Sequence, residues 1–536
     1  MISKSDHMNI NRRSFIRTSI AGAIQLGILA DLYASFSALV RTSQNGLPRS
    51  TPEMQGISSR SILDFVSAIE KSNALLHSLM IVRNGHVVAE GWWAPYSAQY
   101  KHTLYSLSKS FTSTAIGLAV AEGKLSVHDQ VISFFPDQKP VTVSEKLSSM
   151  RVRDLLSMTT GHEKDTTGAF RDPANNDWVK AFLAQPVNRQ PGTHFVYNSG
   201  ATYMLSAIIQ KLTGQTLLEY LTPRLFDPLG ITDMDWEVDP KGINVGGWGL
   251  RIKTEDIAKF GQLYLQEGKW EGKQIIPVHW VREATLAHIL QPGKEEDRPA
   301  SDWLQGYGYQ FWRCRNNAYR GDGAYGQYCV VIPEKQMVIA ITSETSDMQI
   351  VLNHVWQYLL PEENQKTVAN PANEKLLVQT LASLALPLPK GMASVKTASR
   401  INARKYVFEQ NKLGITNASW QLNDQGAVFK FSDAEGEHTI EAGINTWKPG
   451  ATHLNIDWLK LIPTPIPGKT ALKTMATGHW AGPDTFEMIW RFVDTAHYQT
   501  LVCLFDKKNV QIEVRKSISI ISGNTAPEVV LVGRQG

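Results

Sequence analysis

Cysteine is scarce in this chain. Three in 536 residues, Cys314, Cys329 and Cys503, cannot build a disulfide framework, and their spacing fits neither a zinc site nor a CxxC redox pair. They read as small buried apolar residues, with a Cys314–Cys329 bridge across a turn as the lesser alternative. Charge of one sign is missing too. The formal net charge is +4, with no run of five or more like charges. Nothing therefore asks for nucleic acid or an anionic membrane surface as partner. No segment approaches the roughly 20 apolar residues of a membrane span. There is no HExxH or similar ligand cluster, so no metal is expected. The absence of a GxSxG elbow argues against an α/β-hydrolase. Internal repeats and low-complexity tracts are also absent.

What is present is an ordinary globular composition, 43% hydrophobic and 19% charged, in a length that suits two to four structural units. The first residues pair Arg12 with Arg13 ahead of Ser14-Phe15-Ile16, and a mildly apolar stretch follows to Ala30. That layout resembles a twin-arginine export signal. Small residues at Ala34, Ser35 and Ser37 offer cleavage positions. A signal peptide over 1–38 and a periplasmic or secreted location are the expectations, with an amphipathic N-terminal helix as the alternative.

From about Leu47 to Leu360 the pattern is mixed. Leu79–Arg83 and His86–Glu90 read as strands about Asn84-Gly85, the strongest two-residue hairpin signal. A helix opens near Ser106, with Leu107, Phe111, Ala115, Ile116, Leu118 and Ala119 on the helical period. Further helices are predicted over 152–158, 201–212 and from Thr254, taken as an N-cap. Strands return at 308–313, 327–332 and 337–342. Strands at both ends with helices between imply an α/β domain, one sheet closed by distant segments, at 45–365. A polar stretch from Glu362 to Glu374 leads to one helix-like run and then Pro387-Leu388-Pro389, and 366–390 reads as a linker. From 391 to 536 the pattern is all-β: Phe486, Met488, Trp490 and Phe492 alternate strictly, as do Leu501, Cys503 and Phe505. Trp420, Trp447, Trp480 and Trp490 read as core rather than as a carbohydrate platform.

Three motifs carry chemistry. In Ser106-Leu107-Ser108-Lys109, residues one helical turn apart share a face. A serine hydroxyl needs a base, and a buried lysine can serve as one once its pKa falls. The helix N-terminus favours negative charge developing near Ser106. In Tyr197-Asn198-Ser199, a turn presents a phenol and a hydroxyl. Lysine beside Tyr197 would favour phenolate, and Ser199 could hydrogen-bond Lys109. In Arg320-Gly321-Asp322-Gly323-Ala324-Tyr325-Gly326, the GxGxxG spacing enters a strand instead of opening a helix. It is therefore no dinucleotide fingerprint. Glycines there suit close backbone approach, and their amides could form half of an oxyanion hole.

Ser-x-x-Lys, Tyr-x-Ser and a glycine-rich strand, in that order, resemble the motifs of serine beta-lactamases and penicillin-binding proteins. The segments VRDLLSMTTG (152–161), NSGATY (198–203), GWGLRIKTEDIAKFG (247–261) and YGQYCVVIP (325–333) are similar to the class C beta-lactamase-related family, which includes 6-aminohexanoate-oligomer hydrolases, esterases and D-amino-acid peptidases. The resemblance implies an antiparallel sheet flanked by helices with a helical subdomain. It implies Ser106 as acylated nucleophile, Lys109 as its proton acceptor and Tyr197 as the acid/base that also activates the deacylating water. Ser199 stands where class C enzymes have asparagine. The backbone N–H groups of Ser106 and of a residue near Ala324 would bind the oxyanion. No cofactor is implied, and the partner is a small-molecule ester or amide.

One departure stands out. Where the family has Lys-Thr-Gly or His-Thr-Gly, this chain has Gly321-Asp322-Gly323. The cation for a beta-lactam carboxylate is missing unless Arg320 replaces it, and Asp322 would repel the anion. The expected activity is ester or amide hydrolysis through an acyl-enzyme, with weak or no beta-lactamase activity. A silent binding protein and an acyltransferase on the same fold remain the alternatives.

Overall fold

The computed structural model describes residues 46–172, 174–360, 369–392, 396–454, 460, 462–469, 471–517 and 529–536. The expected signal peptide, 1–38, lies outside them. Strands β1 (Leu76–Arg83) and β2 (His86–Trp92) form the expected hairpin. Asn84 and Gly85 both take left-handed backbone, φ 49° and 78°, as a two-residue turn between right-twisted strands requires. Strands β3 (Trp312–Arg313), β4 (Tyr319–Gly323), β5 (Gln327–Ile332) and β6 (Met337–Ser343) complete a sheet in the order β2-β1-β6-β5-β4-β3. β1 pairs antiparallel with β6, so segments from the two ends of the domain close one sheet. The strand expected over 308–313 shrinks to two residues. Gly308 lies against the Ala284 carbonyl and Gln310 is left-handed at φ 64°, which breaks the extended run.

Helices α1 (Ser59–Lys71), α2 (Ser108–Ala121) and α4 (Thr254–Leu265) pack around this sheet, and α3 (Ser199–Thr213) packs on α2. α2 is buried on every side from Ser108 to Ala119. Most of its hydroxyls are satisfied locally or by neighbours: Thr112 donates to the Gly246 carbonyl, Thr114 to the Ser110 carbonyl and Ser110 to the Gln310 carbonyl. A polar helix survives burial when its hydroxyls keep partners; Ser113 Oγ, also buried, has none among the described residues. The Thr254 cap is a correction. Lys253 is the N-cap residue, its N–H donating to the Asp256 carboxylate at 3.2 Å. Thr254 turns its hydroxyl to Ser78 instead.

Within the stretch read as linker, Pro371–Ala382 forms helix α5. Leu377, Leu384 and Leu386 are buried in the cluster that holds the outer face of the sheet. Beyond it lie β7 (Lys405–Phe408), β8 (Asn417–Leu422), β9 (Gly426–Asp433), β10 (Gly436–Ile444), β11 (Lys448–Thr452), β12 (Leu472–Gly482), β13 (Thr485–Phe492), β14 (Tyr498–Asp506), β15 (Asn509–Lys516) and β16 (Val529–Gln535). Their order is β10-β9-β8-β7-β16-β15-β14-β13-β12-β11, and a parallel pairing of β10 with β12 closes a nine-stranded barrel with β11 alongside. Closure removes exposed sheet edges. The alternating residues Phe486, Met488, Trp490, Phe492, Leu501, Cys503 and Phe505 all face its core, as do Trp420 and Trp480; Trp447 is only half-buried. All three cysteines are free and buried, so Cys314 and Cys329 form no bridge.

The barrel docks firmly on the sheet. Arg491, from β13, donates to the Glu344 carboxylate at 2.6 Å, and His77 of β1 lies 3.3 Å from the same oxygen. All three side chains are buried. Val493 enters the hydrophobic cluster of the sheet, and Ile462 enters that of the helical subdomain.

Candidate active site

Ser106 sits in a single 3₁₀ turn, Tyr105–Leu107, that leads into α2. One turn on, Lys109 is 1% exposed. Its Nζ lies 3.1 Å from Ser106 Oγ, 3.0 Å from Ser199 Oγ and 2.7 Å from the Gly247 carbonyl oxygen. Burial lowers its pKa to about 7, against the weaker opposing pull of Asp165 and Asp322. An amine with that pKa is partly neutral near pH 7, as a general base must be.

Tyr197 lies beside this pair. Lys109 Nζ sits 4.9 Å from its ring centroid, and the ring stacks on Trp312 at 5.5 Å. The expectation that the lysine would ease phenolate formation is not met. Burial, with Asp322 adding to it, pushes the Tyr197 phenol well above its ordinary value, and the Ser106 hydroxyl opposes only weakly. Desolvation of the phenol is the largest cause, and the Arg320 guanidinium opposes it least of the groups around the ring.

Ser199 begins α3, whose N-cap is Asn198. The Asn198 side-chain oxygen accepts from the N–H groups of Gly200 and Ala201 and from the N–H and hydroxyl of Thr166. This fully buried cap aims Tyr197 and Ser199 at Lys109. The sequence reading passed over Asn198, although an asparagine ahead of a helical run is a cap signal. It also passed over Gly247, which stands in a quoted segment, and no local pattern distinguishes that carbonyl.

The third motif is placed as a strand against the nucleophile. A side chain on Gly321 would put its Cβ 2.4 Å from Leu107 Cδ1, and one on Gly323 would meet the Leu104 carbonyl at 2.0 Å and the Ser106 nitrogen at 3.2 Å. Only glycine lets β4 press on the 104–106 backbone, which brings the turn carrying Ala324 beside the Ser106 amide. A lysine at 321 has no room. Strand alternation turns Arg320 and Asp322 the other way. Arg320 is wholly buried and donates to Asp322, to the Asp302 carbonyl and to Cys314 Sγ, under the rings of Trp303 and Trp312. Its charge is spent there and does not face solvent. Burial pushes the Asp322 carboxyl up, and the Arg320 guanidinium opposes that shift. Asp322 is thus a paired carboxylate, not the free repelling charge expected.

The Beta-lactamase family profile matches residues 69–352, just over half of the chain. The chain belongs to the beta-lactamase family. It is a hydrolase of that fold, followed by an all-β barrel. The 6-aminohexanoate-dimer hydrolase of Paenarthrobacter ureafaciens is 24% identical over 287 residues, covering 50% of this chain and 73% of that protein. Protein flp of Staphylococcus aureus (strain N315) is 28% identical over 167 residues, 29% of this chain and 33% of its own length, so the chain spans about a third of that relative. Among solved structures, the octameric penicillin-binding protein homologue from Pyrococcus abyssi is similar over 88% of this chain and 99% of that one, at 16% identity and a TM-score of 0.44. A penicillin-binding protein homologue from Caulobacter crescentus is similar over 56% of this chain and 99% of that one, at 15% identity and a TM-score of 0.45. No helix among the described residues is long and apolar enough to cross a membrane, and no group of metal-binding side chains occurs among them.

Proposed function

We propose that this beta-lactamase-family protein hydrolyses a carboxylic ester or amide through an acyl-enzyme on Ser106. The observation that carries this reading is the coordination of Lys109. A neutral amine has two N–H bonds and one lone pair. The Gly247 carbonyl and Ser199 Oγ accept the two N–H bonds, at 2.7 and 3.0 Å, which turns the lone pair toward the Ser106 hydroxyl at 3.1 Å. Lys109 takes the Ser106 proton as Oγ attacks the carbonyl carbon. The Ser106 and Ala324 N–H groups hold the oxyanion. Tyr197, still protonated, donates to the leaving oxygen or nitrogen, recovers its proton from Lys109, and orients the water that releases the acid.

The substrate is neutral near the scissile bond. Arg320, the one candidate to replace the family's cation, is committed to Asp322, and the site wall is aromatic, with Tyr197, Tyr307, Trp312 and Phe195 in contact. With Arg320 committed to Asp322, a beta-lactam carboxylate lacks the counter-charge the family supplies at this motif, so beta-lactams turn over poorly. The relative named for cleaving a 6-aminohexanoate dimer supports the amide half of this reading. We also propose export through the paired arginines at 12 and 13. A fluorophosphonate probe followed by peptide mass spectrometry tests the main reading: the label is expected on Ser106 and lost in Ser106→Ala. A label on another serine, or none with ester turnover intact, would refute it.

A further inference from the structure

Two tyrosines flank the backbone amides assigned to the oxyanion hole. Tyr105 precedes Ser106, and Tyr325 follows Ala324. Both have left-handed backbone, φ 47° and 67°. Bulky L residues avoid this region and stay there only where surrounding contacts hold them. Their rings meet edge-on at 5.2 Å. A third ring meets both: His497 lies edge-on to Tyr105 at 6.1 Å and to Tyr325 at 5.1 Å.

His497 belongs to the barrel, in the turn between β13 and β14. That turn grips the chain leading to the nucleophile. The Asp494 carbonyl accepts from the N–H of Thr103 at 2.8 Å and from its hydroxyl at 3.1 Å. The Ala496 N–H donates to the Tyr105 hydroxyl at 3.3 Å, and the Tyr96 hydroxyl donates to the Thr495 carbonyl at 3.4 Å. The Asp494 carboxylate pairs with Lys469 at 2.6 Å and reaches Arg251 at 3.5 Å; Arg251 is the strand partner of Thr103. His497 is set in turn by Ser517 Oγ, 3.2 Å from its Nδ1. On the other side, the Tyr325 carbonyl accepts from the Ser343 hydroxyl at 2.6 Å and the Thr345 N–H at 3.0 Å.

We propose that His497 is a positioning residue for the oxyanion hole, so that the C-terminal barrel completes the active site. The peptide plane carrying the Ser106 N–H pivots on Tyr105, and the turn carrying the Ala324 N–H is completed by Tyr325. Oxyanion donors act only when aimed at the position the oxygen reaches in the transition state. The imidazole edge closes the space between the two rings and keeps both backbones in their left-handed state. Burial lowers the His497 pKa to about 4, so the ring is neutral and acts by shape.

The inference rests on Ser106 being the acylated nucleophile, and the test separates the two. In the full-length protein, His497→Ala is expected to lower kcat/KM for p-nitrophenyl butyrate by roughly 10- to 100-fold, the scale of a misaimed oxyanion donor. The loss should fall in kcat, with KM little changed. Affinity for phenylboronic acid, whose tetrahedral adduct uses the same amides, should fall by a similar factor, and the pH of half-maximal rate should not move. His497→Phe, which keeps an edge-on ring, should recover most of the loss, while His497→Gln should not. If His497→Ala does not fold, the Phe and Gln variants are compared directly. Equal activity in those two, or boronate affinity unchanged in a folded His497→Ala, would overturn the proposal while leaving the hydrolase reading intact. A wild type that neither turns over the ester nor takes a fluorophosphonate on Ser106 would sink both.

Discussion

The Gly247 carbonyl oxygen lies 2.7 Å from Lys109 Nζ, and the absence of a side chain at 247 is what permits it. A Cβ there would stand 2.9 Å from the Ser199 carbonyl and 3.6 Å from Lys109 Nζ. The Gly247→Ala change should push Ser199 and the carbonyl apart and turn the lysine away from Ser106. A misplacement of about 1 Å costs on the order of 100-fold in rate. Steady-state kinetics on a p-nitrophenyl ester, with circular dichroism as a folding control, measures it. Unchanged kcat/KM would mean that Gly247 does not steer the base.

The pH dependence follows from Lys109. Its pKa is lowered to about 7, from 10.5, and the neutral amine is the active form. Activity on a neutral ester should therefore rise with pH through about 7 and fall about tenfold for each unit below that. The same shift bears on stability. Between those two values the unfolded chain holds more protons than the folded one, so the cost of burying Lys109 is recovered as pH rises across the window. A kcat/KM profile controlled by a group titrating near 5 would contradict this assignment.

Removing the Asp322 charge should not create a beta-lactamase. Asp322→Asn leaves Arg320 buried without its carboxylate, which should cost about 3–5 kcal/mol of stability. A chromogenic cephalosporin should remain a poor substrate relative to the ester in both proteins. Urea unfolding and paired kcat/KM measurements test both halves. A variant that gains cephalosporin turnover would mean Asp322 faces the substrate as a free charge.

The docking of the barrel depends on a buried ion pair. Arg491→Ala strands Glu344, which burial would then drive toward the protonated form. The expected loss is about 3–5 kcal/mol, read as a lower midpoint in thermal unfolding. If the melting curve does not change, the Arg491–Glu344 pair contributes nothing to holding the barrel, which then rests on its other polar contacts and on apolar packing.

Export predicts a shortened chain. N-terminal sequencing of protein from a periplasmic fraction should begin between Ala34 and Val40. A Met1 start in cytoplasmic protein would contradict it.

Local periodicity carried much of the fold. The hairpin at Asn84-Gly85 and the inward alternation from Phe486 to Phe492 follow from spacing alone. So does the placing of Lys109 one turn after Ser106, since residues three apart on a helix share a face whatever surrounds them. The Thr254 cap was misread because a carboxylate two residues on bonded Lys253 instead, a choice between equally local partners that packing decided. The strand at 308–313 failed where Gly308 had to pass the Ala284 carbonyl.

The order of the three motifs and the β pattern of the tail were thus determined by the sequence itself, because they rest on contacts between near neighbours in the chain. The protonation of Tyr197, the burial of Arg320 against Asp322, the Gly247 carbonyl on Lys109 and the reach of His497 to Tyr105 were decided only by the tertiary structure. Those depend on desolvation and on groups far apart in the chain. A lysine beside a tyrosine reads as a cation in sequence, yet in the folded chain loss of water leads both shifts, raising the Tyr197 pKa and lowering that of Lys109.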